Sequence, residues 1–242
     1  MLSPAENMFV GWSTWRSFRS PVSLTPAVLQ ELVDGGQAFR WTPQSESSWQ
    51  GQFGDYVMRL RSADEELQWS APLPAGAEVE HVLARYLGIE PETPSRVDQL
   101  PWRSDPHLAQ CLAAFPGLGI LRQPFGETLL CFLCSATKQI VQIKQMVALL
   151  AMRHGTPVGN EFHRLPTWPE LAETTEAELR ACLLGFRARY IHQTAQVLAA
   201  HPGWLDETER LPYAVAKERL CSLPGVGEKV ADCVLLFGAG RL

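Results

Sequence analysis

The first third of the chain alternates apolar and polar residues with a period of two. Tyr56, Met58 and Leu60 alternate with polar neighbours, and Leu67 and Trp69 repeat the pattern a few residues later. Such alternation is typical of strands that bury one face. Glycines interrupt these runs and indicate turns, at positions 35, 36, 51 and 54. Residues from 21 to about 74 are therefore predicted to form strands of a small, antiparallel, twisted sheet.

The rest of the chain changes to a helical period. Apolar residues recur three or four positions apart from Val79 onward, and Ile143, Val147 and Leu150 form one clear stripe. Prolines stand where such helices would begin or end. The predicted fold class is α+β. Its parts are an N-terminal extension, an antiparallel sheet domain with a helix, and an all-helical domain, over residues 1–20, 21–103 and 104–242.

Composition and charge narrow the classes of function. The chain has 242 residues, 46% of them hydrophobic and 19% charged, which indicates a folded globular protein. Its six cysteines are scattered through apolar stretches, as reduced thiols usually are, so a cytoplasmic protein is expected, associated with the nucleoid if bacterial. Residues 1–20 carry no continuous apolar run, which argues against a signal peptide and a membrane span. A net charge of −5 disfavours nonspecific coating of nucleic acid but allows a local phosphate site.

The most informative segment is 220–238, LCSLPGVGEKVADCVLLFG. A proline and two glycines divide it into two helices, the first from about Tyr213 to near Ser222 and the second up to about Gly238. This arrangement predicts a helix-hairpin-helix, in which the unpaired N–H groups that open the second helix suit one DNA phosphate. The predicted DNA contacts of the turn are Gly225, Val226 and Gly227. A plain helical hairpin fits the P-G-x-G pattern equally well.

Lys229 and Cys233 give this segment its candidate chemistry. Lys229 lies in the first turn of the second helix, where the positive end of the helix dipole disfavours an ammonium group. A neutral lysine amine is a nucleophile that forms Schiff bases with aldehyde-like carbons, such as the C1′ of a deoxyribose that is losing its base. Cys233 lies one turn further on the same helix face. Taken alone, it is equally explained as a small buried residue.

The segment LPGVGEKVADC resembles the 8-oxoguanine DNA glycosylase/AP lyases of the helix-hairpin-helix (HhH-GPD) superfamily, in which the lysine of this motif is catalytic. The resemblance extends, in the same order, to GGQAFRW, GILRQ and LGFRARY, at residues 35–41, 119–123 and 184–190. With these segments it covers roughly residues 24–242. It implies a base-excision repair enzyme that removes oxidised purine, chiefly 8-oxoguanine, from duplex DNA.

The resemblance implies a role for each matching residue. Lys229 would be the nucleophile that displaces the base and then supports strand cleavage by β-elimination, with Cys233 lining the pocket beside it. Gly36 would present its carbonyl to the N7–H of the oxidised guanine. Phe186 would enter the gap left by the extruded nucleotide, and Arg187 would contact the orphaned opposite base. Without the family, a structural role is the preferred explanation for each of the last three residues: a turn for Gly36, the core for Phe186 and a surface ion pair for Arg187.

The sequence departs from the family at two places. The family has an aspartate beyond the second hairpin helix that assists base departure, whereas this chain ends at Leu242 and its sole later carboxylate is Asp232. We therefore expect a truncated product or fragment with weak or no activity, since the loss of an acid/base group costs about 10²- to 10⁴-fold in rate. In SATKQIVQ, at 135–142, Thr137 is the candidate DNA contact where relatives carry asparagines and an arginine. Weaker discrimination for an opposite cytosine is expected.

These observations predict a monomeric DNA glycosylase with AP lyase activity, without metal or organic cofactor and without a membrane partner. Cys131 and Cys134 lie in an apolar helix with no second pair nearby, so a core role is preferred to zinc or redox chemistry. Two alternatives stay open. One is a glycosylase for another lesion, such as an alkylated base, and the other is a noncatalytic DNA-binding remnant.

Overall fold

A computed structural model describes residues 11–18, 24–64, 66–76, 78–89, 100–159 and 161–241. Their contacts divide them into two compact units. The sheet unit comprises the described residues of 11–51 and 56–121, and the helical unit comprises those of 52–55 and 122–241. The helix over Pro106–Ala114, which the sequence placed in the helical domain, groups with the sheet unit. The domain boundary after residue 103 stays a prediction, and most of the proline-rich segment before it lies outside the described residues.

Five strands form the sheet, in the order β1-β5-β4-β3-β2. They are β1 (Arg16–Ser17), β2 (Trp41–Ser45), β3 (Ser48–Phe53), β4 (Tyr56–Ala63) and β5 (Glu66–Ser70). The pairs β1–β5, β4–β5 and β2–β3 are antiparallel. In β4, Met58 and Leu60 are buried while Arg59 and Arg61 lie on the opposite face. The predicted combination of an antiparallel sheet with helices is confirmed.

Part of the predicted N-terminal extension belongs to this sheet. Strand β1 pairs with the edge of β5, and Trp12 forms a bridge with Pro72. Two tryptophans of this segment cover arginines of β4. The Arg59 guanidinium lies 3.8 Å from the ring centroid of Trp12, and that of Arg61 lies 4.4 Å from the ring centroid of Trp15. These cation–π contacts hold the segment on the sheet.

Helix α1 (Pro26–Asp34) replaces strand where the sequence predicted alternation. Its buried residues are Val28, Leu29, Leu32 and Val33. Val28 and Leu29 form one adjacent pair, and Leu32 and Val33 form another four positions later. A helix places both pairs on one face, whereas a strand would place the two members of each pair on opposite faces. The Thr25 hydroxyl accepts a hydrogen bond from the Val28 N–H at 3.3 Å, so α1 also carries a side-chain cap. The prediction of strands from residue 21 onward is thus wrong for this segment.

Gly51 lies inside β3, not in the predicted turn. It pairs with Trp41, and a Cβ at Gly51 would lie 2.3 Å from that indole ring. Only glycine allows this close approach. The indole N–H of Trp41 donates to the Tyr86 hydroxyl at 2.8 Å, which ties the sheet to helix α2 (Glu78–Leu87). Helix α3 (Pro106–Ala114) completes the sheet unit.

Eight helices dominate the described part of the helical unit. They are α4 (Phe125–Leu133), α5 (Ile140–His154), α6 (Trp168–Glu173), α7 (Glu176–Leu179), α8 (Arg187–Ala200), α9 (Trp204–Arg210), α10 (Tyr213–Cys221) and α11 (Glu228–Phe237). A kinked turn (Arg180–Leu184) leads into α8, and two short strands, β6 (Pro157–Gly159) and β7 (Phe162–His163), follow α5. The stripe Ile191, Ala195 and Leu198 of α8 is buried in the core. Within the described ranges, every helix is too short or too polar to cross a membrane.

Helix α6 begins at a capping box. The Thr167 hydroxyl accepts from the Glu170 N–H at 3.4 Å, and the Glu170 carboxylate accepts from the Thr167 N–H at 2.7 Å. Arg164 donates two further hydrogen bonds to Glu170, at 2.7 and 2.9 Å. The Arg164 guanidinium, together with the Thr167 donors, lowers the pKa of Glu170 to about 2. This carboxylate therefore stays ionised and holds the start of α6.

Candidate active site

The hairpin of α10 and α11 has the bounds that the motif predicted, within a residue at each end. Its turn closes with a hydrogen bond from the Val226 N–H to the Leu223 carbonyl at 3.1 Å. Gly225 has φ +78°, which a residue with a Cβ adopts only at a cost. The Val226 side chain is buried, so this residue offers only its backbone to a ligand. Gly227, at the start of α11, is exposed, and the helix has no side-chain cap.

Helix α8 holds the hairpin turn in place. The Thr194 hydroxyl, which is fully buried, donates to the Pro224 carbonyl at 3.0 Å. Gly225 packs against Tyr190 so closely that a Cβ would lie 2.6 Å from the Tyr190 Cβ. Sequence reasoning missed both α8 residues. Tyr190 lies three positions after Arg187, and Thr194 lies four positions after Tyr190, so all three share one face of a helix. This spacing is the sequence signal that could have identified them.

The two lysines of the hairpin have opposite surroundings. Lys217 of α10 forms ion pairs with Asp232 at 3.0 Å and with Glu228 at 3.5 Å. Lys229 is exposed and makes no hydrogen bond or ion pair with any residue of the described chain. Asp232, three residues after Lys229, instead accepts a hydrogen bond from the Tyr213 hydroxyl at 2.6 Å. This bond is the main cause of the lowered pKa of Asp232, with Lys217 adding to it. The carboxylates of the hairpin therefore leave the Lys229 amine without a partner.

Cys233 lies half-buried on α11, one turn beyond Lys229. Burial raises the pKa of its thiol, and the nearby charge of Lys229 lowers it to a smaller extent. The thiol is therefore protonated at neutral pH. In the predicted role of pocket wall, Cys233 offers a small neutral surface beside the amine.

Phe186 and Arg187 lie at the start of α8 and are in contact, with the Arg187 guanidinium 4.4 Å from the centroid of the Phe186 ring. Phe186 is 52% exposed, and its ring meets the Tyr190 ring edge-on with centroids 6.2 Å apart. Arg187 is 3% exposed. Its guanidinium donates to the carbonyls of Leu184 and Ala136 and, at 3.1 Å, to the Thr137 hydroxyl. The structure thus joins three residues that the sequence assigned to DNA contacts, Phe186, Arg187 and Thr137, in one cluster.

The charge of Arg187 has no carboxylate counterpart. Its bonding partners are neutral oxygens, and its buried Nε has no hydrogen-bond partner within the described part of the chain. Burial lowers the pKa of Arg187. Beneath it, burial raises the pKa of Cys134 to about 12, so that thiol is neutral as well. An unbalanced positive charge close to the surface is suited to an electron-rich ligand.

Gly36 lies in the sheet unit, in the segment that follows α1, and has φ +97°. The neighbouring Gln37 side chain donates to the Gly119 carbonyl at 3.1 Å and accepts from the Leu121 N–H at 3.0 Å. Two of the segments that resemble the family, GGQAFRW and GILRQ, are therefore joined by one glutamine. This bidentate contact fixes the backbone around Gly36, whose carbonyl is the predicted lesion contact.

A cavity of about 750 Å³ lies elsewhere in the helical unit. Its walls come from the starts of α4, α6 and α9 and include Glu127, Trp168 and Trp204. None of the residues predicted for the site lines it. Among the side chains that the structure describes, no three His, Cys, Asp or Glu residues are grouped closely enough to hold a metal ion. Cys131, in α4, and Cys134, just after it, are buried and form no disulfide.

Comparisons with known proteins find similarity to DNA glycosylases. A family model described as the N-terminal domain of 8-oxoguanine DNA glycosylase matches residues 20–129. The N-glycosylase/DNA lyase OGG1 of Arabidopsis thaliana is 32% identical over 214 residues, which are 84% of this chain and 58% of that protein. The chain is therefore similar to 8-oxoguanine DNA glycosylase/AP lyases over most of its length. The resemblance seen in the hairpin segment is thereby confirmed.

Two further members of the family are similar over most of the chain. The N-glycosylase/DNA lyase of Saccharomyces cerevisiae is 31% identical over 236 residues, which are 87% of this chain and 62% of that protein. The apo-form crystal structure of the Clostridium acetobutylicum 8-oxoguanine glycosylase/lyase superposes with a TM-score of 0.79 and 25% identity. That match covers 95% of this chain and 81% of the crystallised one. The chain therefore spans about three fifths of the length of these two curated glycosylases.

Proposed function

We propose that this protein removes 8-oxoguanine from duplex DNA as a monomer and then cleaves the strand at the abasic site. The observation that carries the proposal is the contrast between the two hairpin lysines. Lys217 is bound by two carboxylates, whereas the Lys229 amine has no partner among the described residues and lies on the first turn of α11, which has no side-chain cap. An unpaired amine beside backbone N–H groups that can hold a phosphate is arranged for attack on a nucleotide sugar.

Lys229 would act through covalent catalysis. The amine, once it has lost its proton, attacks C1′ as the bond to the damaged base breaks, and the base leaves with the electron pair of that bond and takes up a proton. The amine then forms a Schiff base with the opened sugar. Loss of a C2′ proton breaks the C3′–O bond, which is the lyase step. Cys233, as a protonated thiol, supplies a neutral wall to the site and does not compete as a nucleophile.

Access to C1′ requires that the nucleotide leave the stack. This costs a few kcal/mol, which side chains that fill the gap and bind the orphaned base can offset. Phe186 is half-exposed and packs against Tyr190 and Arg187, which supports a role in filling the gap. Arg187 donates to Thr137 and has no carboxylate partner in the described chain, which supports a role in binding the opposite base. Gly36 would contact the flipped purine through its fixed backbone.

Borohydride trapping tests the role of Lys229. The chain is incubated with two oligonucleotides, an 8-oxoguanine duplex and a duplex with a preformed abasic site, and Schiff bases are reduced to stable adducts. We expect an adduct with both, and none with Lys229→Ala. Lys217→Ala is the matched control, because it removes a lysine from the same hairpin that is already paired. It is expected to retain the adduct.

The two substrates separate the candidate functions. Base departure is needed only for the 8-oxoguanine duplex, so adducts confined to the abasic duplex would indicate a lyase with impaired base excision. Tight DNA binding without any adduct would contradict the proposal and favour a noncatalytic DNA-binding protein. An adduct that survives in Lys229→Ala would refute the assignment of the nucleophile.

A further inference from the structure

A strained leucine stands in the turn before α8. Leu183 has φ +63° and ψ 14°, a left-handed conformation, and its side chain is 53% exposed. This conformation costs free energy for any residue with a Cβ, and glycine usually occupies it. Such strain persists mainly where function requires it. Leu183 gains little from burial, so packing does not explain why a leucine occupies this position.

The strained positions are not spread evenly. In the part of the chain that is described, three residues other than glycine have positive φ: Asp64, Thr137 and Leu183. Asp64 lies in the turn between β4 and β5, where left-handed residues are ordinary. Thr137 bonds to Arg187 directly, and Leu183 precedes Leu184, whose carbonyl accepts a second bond from Arg187. Both unusual positions therefore flank the predicted reader of the opposite base.

The turn around Leu183 is anchored from beneath. Cys182 and Leu184, the residues on either side of it, are fully buried. Arg153 of α5 donates to the carbonyl of Ala181 at 2.8 Å, which pins the start of the turn. Because its neighbours are fixed in the core, the Leu183 side chain is held outward.

We propose that Leu183 is a second wedge residue, which enters the base stack beside the gap that Phe186 fills. The inference rests on the proposed function, since duplex DNA is the ligand. Leu183 and Phe186 are three residues apart on one anchored turn, and both present half-exposed apolar side chains. Leucine and phenylalanine are residues that proteins insert between base steps to unstack them. Two wedges on one rigid turn hold the duplex open and oppose the return of the extruded nucleotide.

The variant Leu183→Gly tests this role without harming the fold. Glycine adopts the left-handed conformation freely, so the unfolding midpoint is expected to be no lower than that of the wild-type chain. Cleavage of the 8-oxoguanine duplex under single-turnover conditions is expected to fall about ten-fold or more, since unstacking becomes costlier. Cleavage of a single-stranded abasic oligonucleotide needs no flipping and should change less than about two-fold. Met152→Ala removes another exposed apolar side chain, on α5, and is expected to leave both rates unchanged.

A second measurement does not depend on chemistry. A 2-aminopurine placed beside a stable abasic-site analogue in a duplex becomes brighter when it is unstacked. The wild-type chain is expected to raise its fluorescence, and Leu183→Gly is expected to raise it less at saturating protein.

Each outcome decides one question. Equal duplex cleavage and equal fluorescence for the variant and the wild type overturn the wedge, while a Lys229-dependent adduct keeps the proposed function. A lowered unfolding midpoint with parallel losses on both substrates also overturns it, because the role of Leu183 is then structural. Absence of any adduct with the wild-type chain contradicts the proposed function, and the fluorescence then decides on Leu183 by itself.

Discussion

The hairpin turn contains two glycines that should respond in opposite ways to the same substitution. In Gly225→Ala, the new Cβ would lie 2.6 Å from the Tyr190 Cβ and 2.7 Å from its Cγ, at φ +78°. In Gly227→Ala, the new Cβ meets no described atom within 4 Å, and φ is −95°. The first substitution therefore perturbs the fold, and the second adds a methyl group to the surface predicted to hold a phosphate.

The magnitude for Gly225→Ala has two parts. The left-handed backbone costs a residue with a Cβ about 1–2 kcal/mol. The collision with Tyr190, on a helix packed in the core, adds about 1–3 kcal/mol as overpacking. The free energy of unfolding of the helical unit should thus fall by about 2–5 kcal/mol, a large part of the usual stability of about 5–15 kcal/mol. Gly227 is the N-cap of α11, where alanine is a poorer residue than glycine, so Gly227→Ala should cost about 0.5–1 kcal/mol, less than Gly225→Ala.

Urea unfolding followed by far-UV circular dichroism measures both changes, and fluorescence anisotropy with a labelled duplex measures DNA binding. Gly225→Ala should lower the urea midpoint by about 1–2 M at an unchanged slope. Gly227→Ala should lower the midpoint by about 0.5 M or less and weaken duplex binding. If the two variants had equal midpoints, the close packing of Gly225 on Tyr190 would be refuted. If Gly227→Ala bound duplex DNA as the wild type does, the phosphate site at the start of α11 would be refuted.

Two carboxylates provide further tests through pH. Glu170→Gln should cost about 1 kcal/mol at neutral pH, given its partial exposure. Because the pKa of Glu170 is lowered from 4.5 to about 2, its stabilisation is complete above pH 4.5 and disappears as the pH falls toward 2. Asp232→Asn should cost about 0.5–1 kcal/mol at neutral pH, through its bonds to Tyr213 and Lys217. The pKa of Asp232 is lowered from 3.8, so this difference should vanish only below that pH. Urea midpoints measured across pH check both variants, and differences that persist at pH 2 would contradict the ionic explanation.

Local patterns along the chain were enough to predict many of the elements and the candidate chemistry. The hairpin helices end within a residue of the predicted positions, because a proline and two glycines interrupt helical periodicity at one point. The alternation in β4 and β5 predicted strands, because residues two positions apart lie on the same face of a strand. Helix α1 could also have been found, from the paired spacing of its apolar residues.

Other features depended on contacts between residues far apart in the chain. Strand β1 is two residues long and exists through its pairing with β5, and Gly51 is required by the Trp41 ring that faces it. The sequence does not show which hairpin lysine pairs with Glu228 and Asp232, whereas the structure gives both carboxylates to Lys217 and, among the described residues, no partner to Lys229. Local propensity acts over a few residues, whereas burial and the pairing of charges are decided only when distant segments meet. The hairpin motif thus predicted which amine is the candidate nucleophile, and the tertiary structure decided that this amine is unpaired.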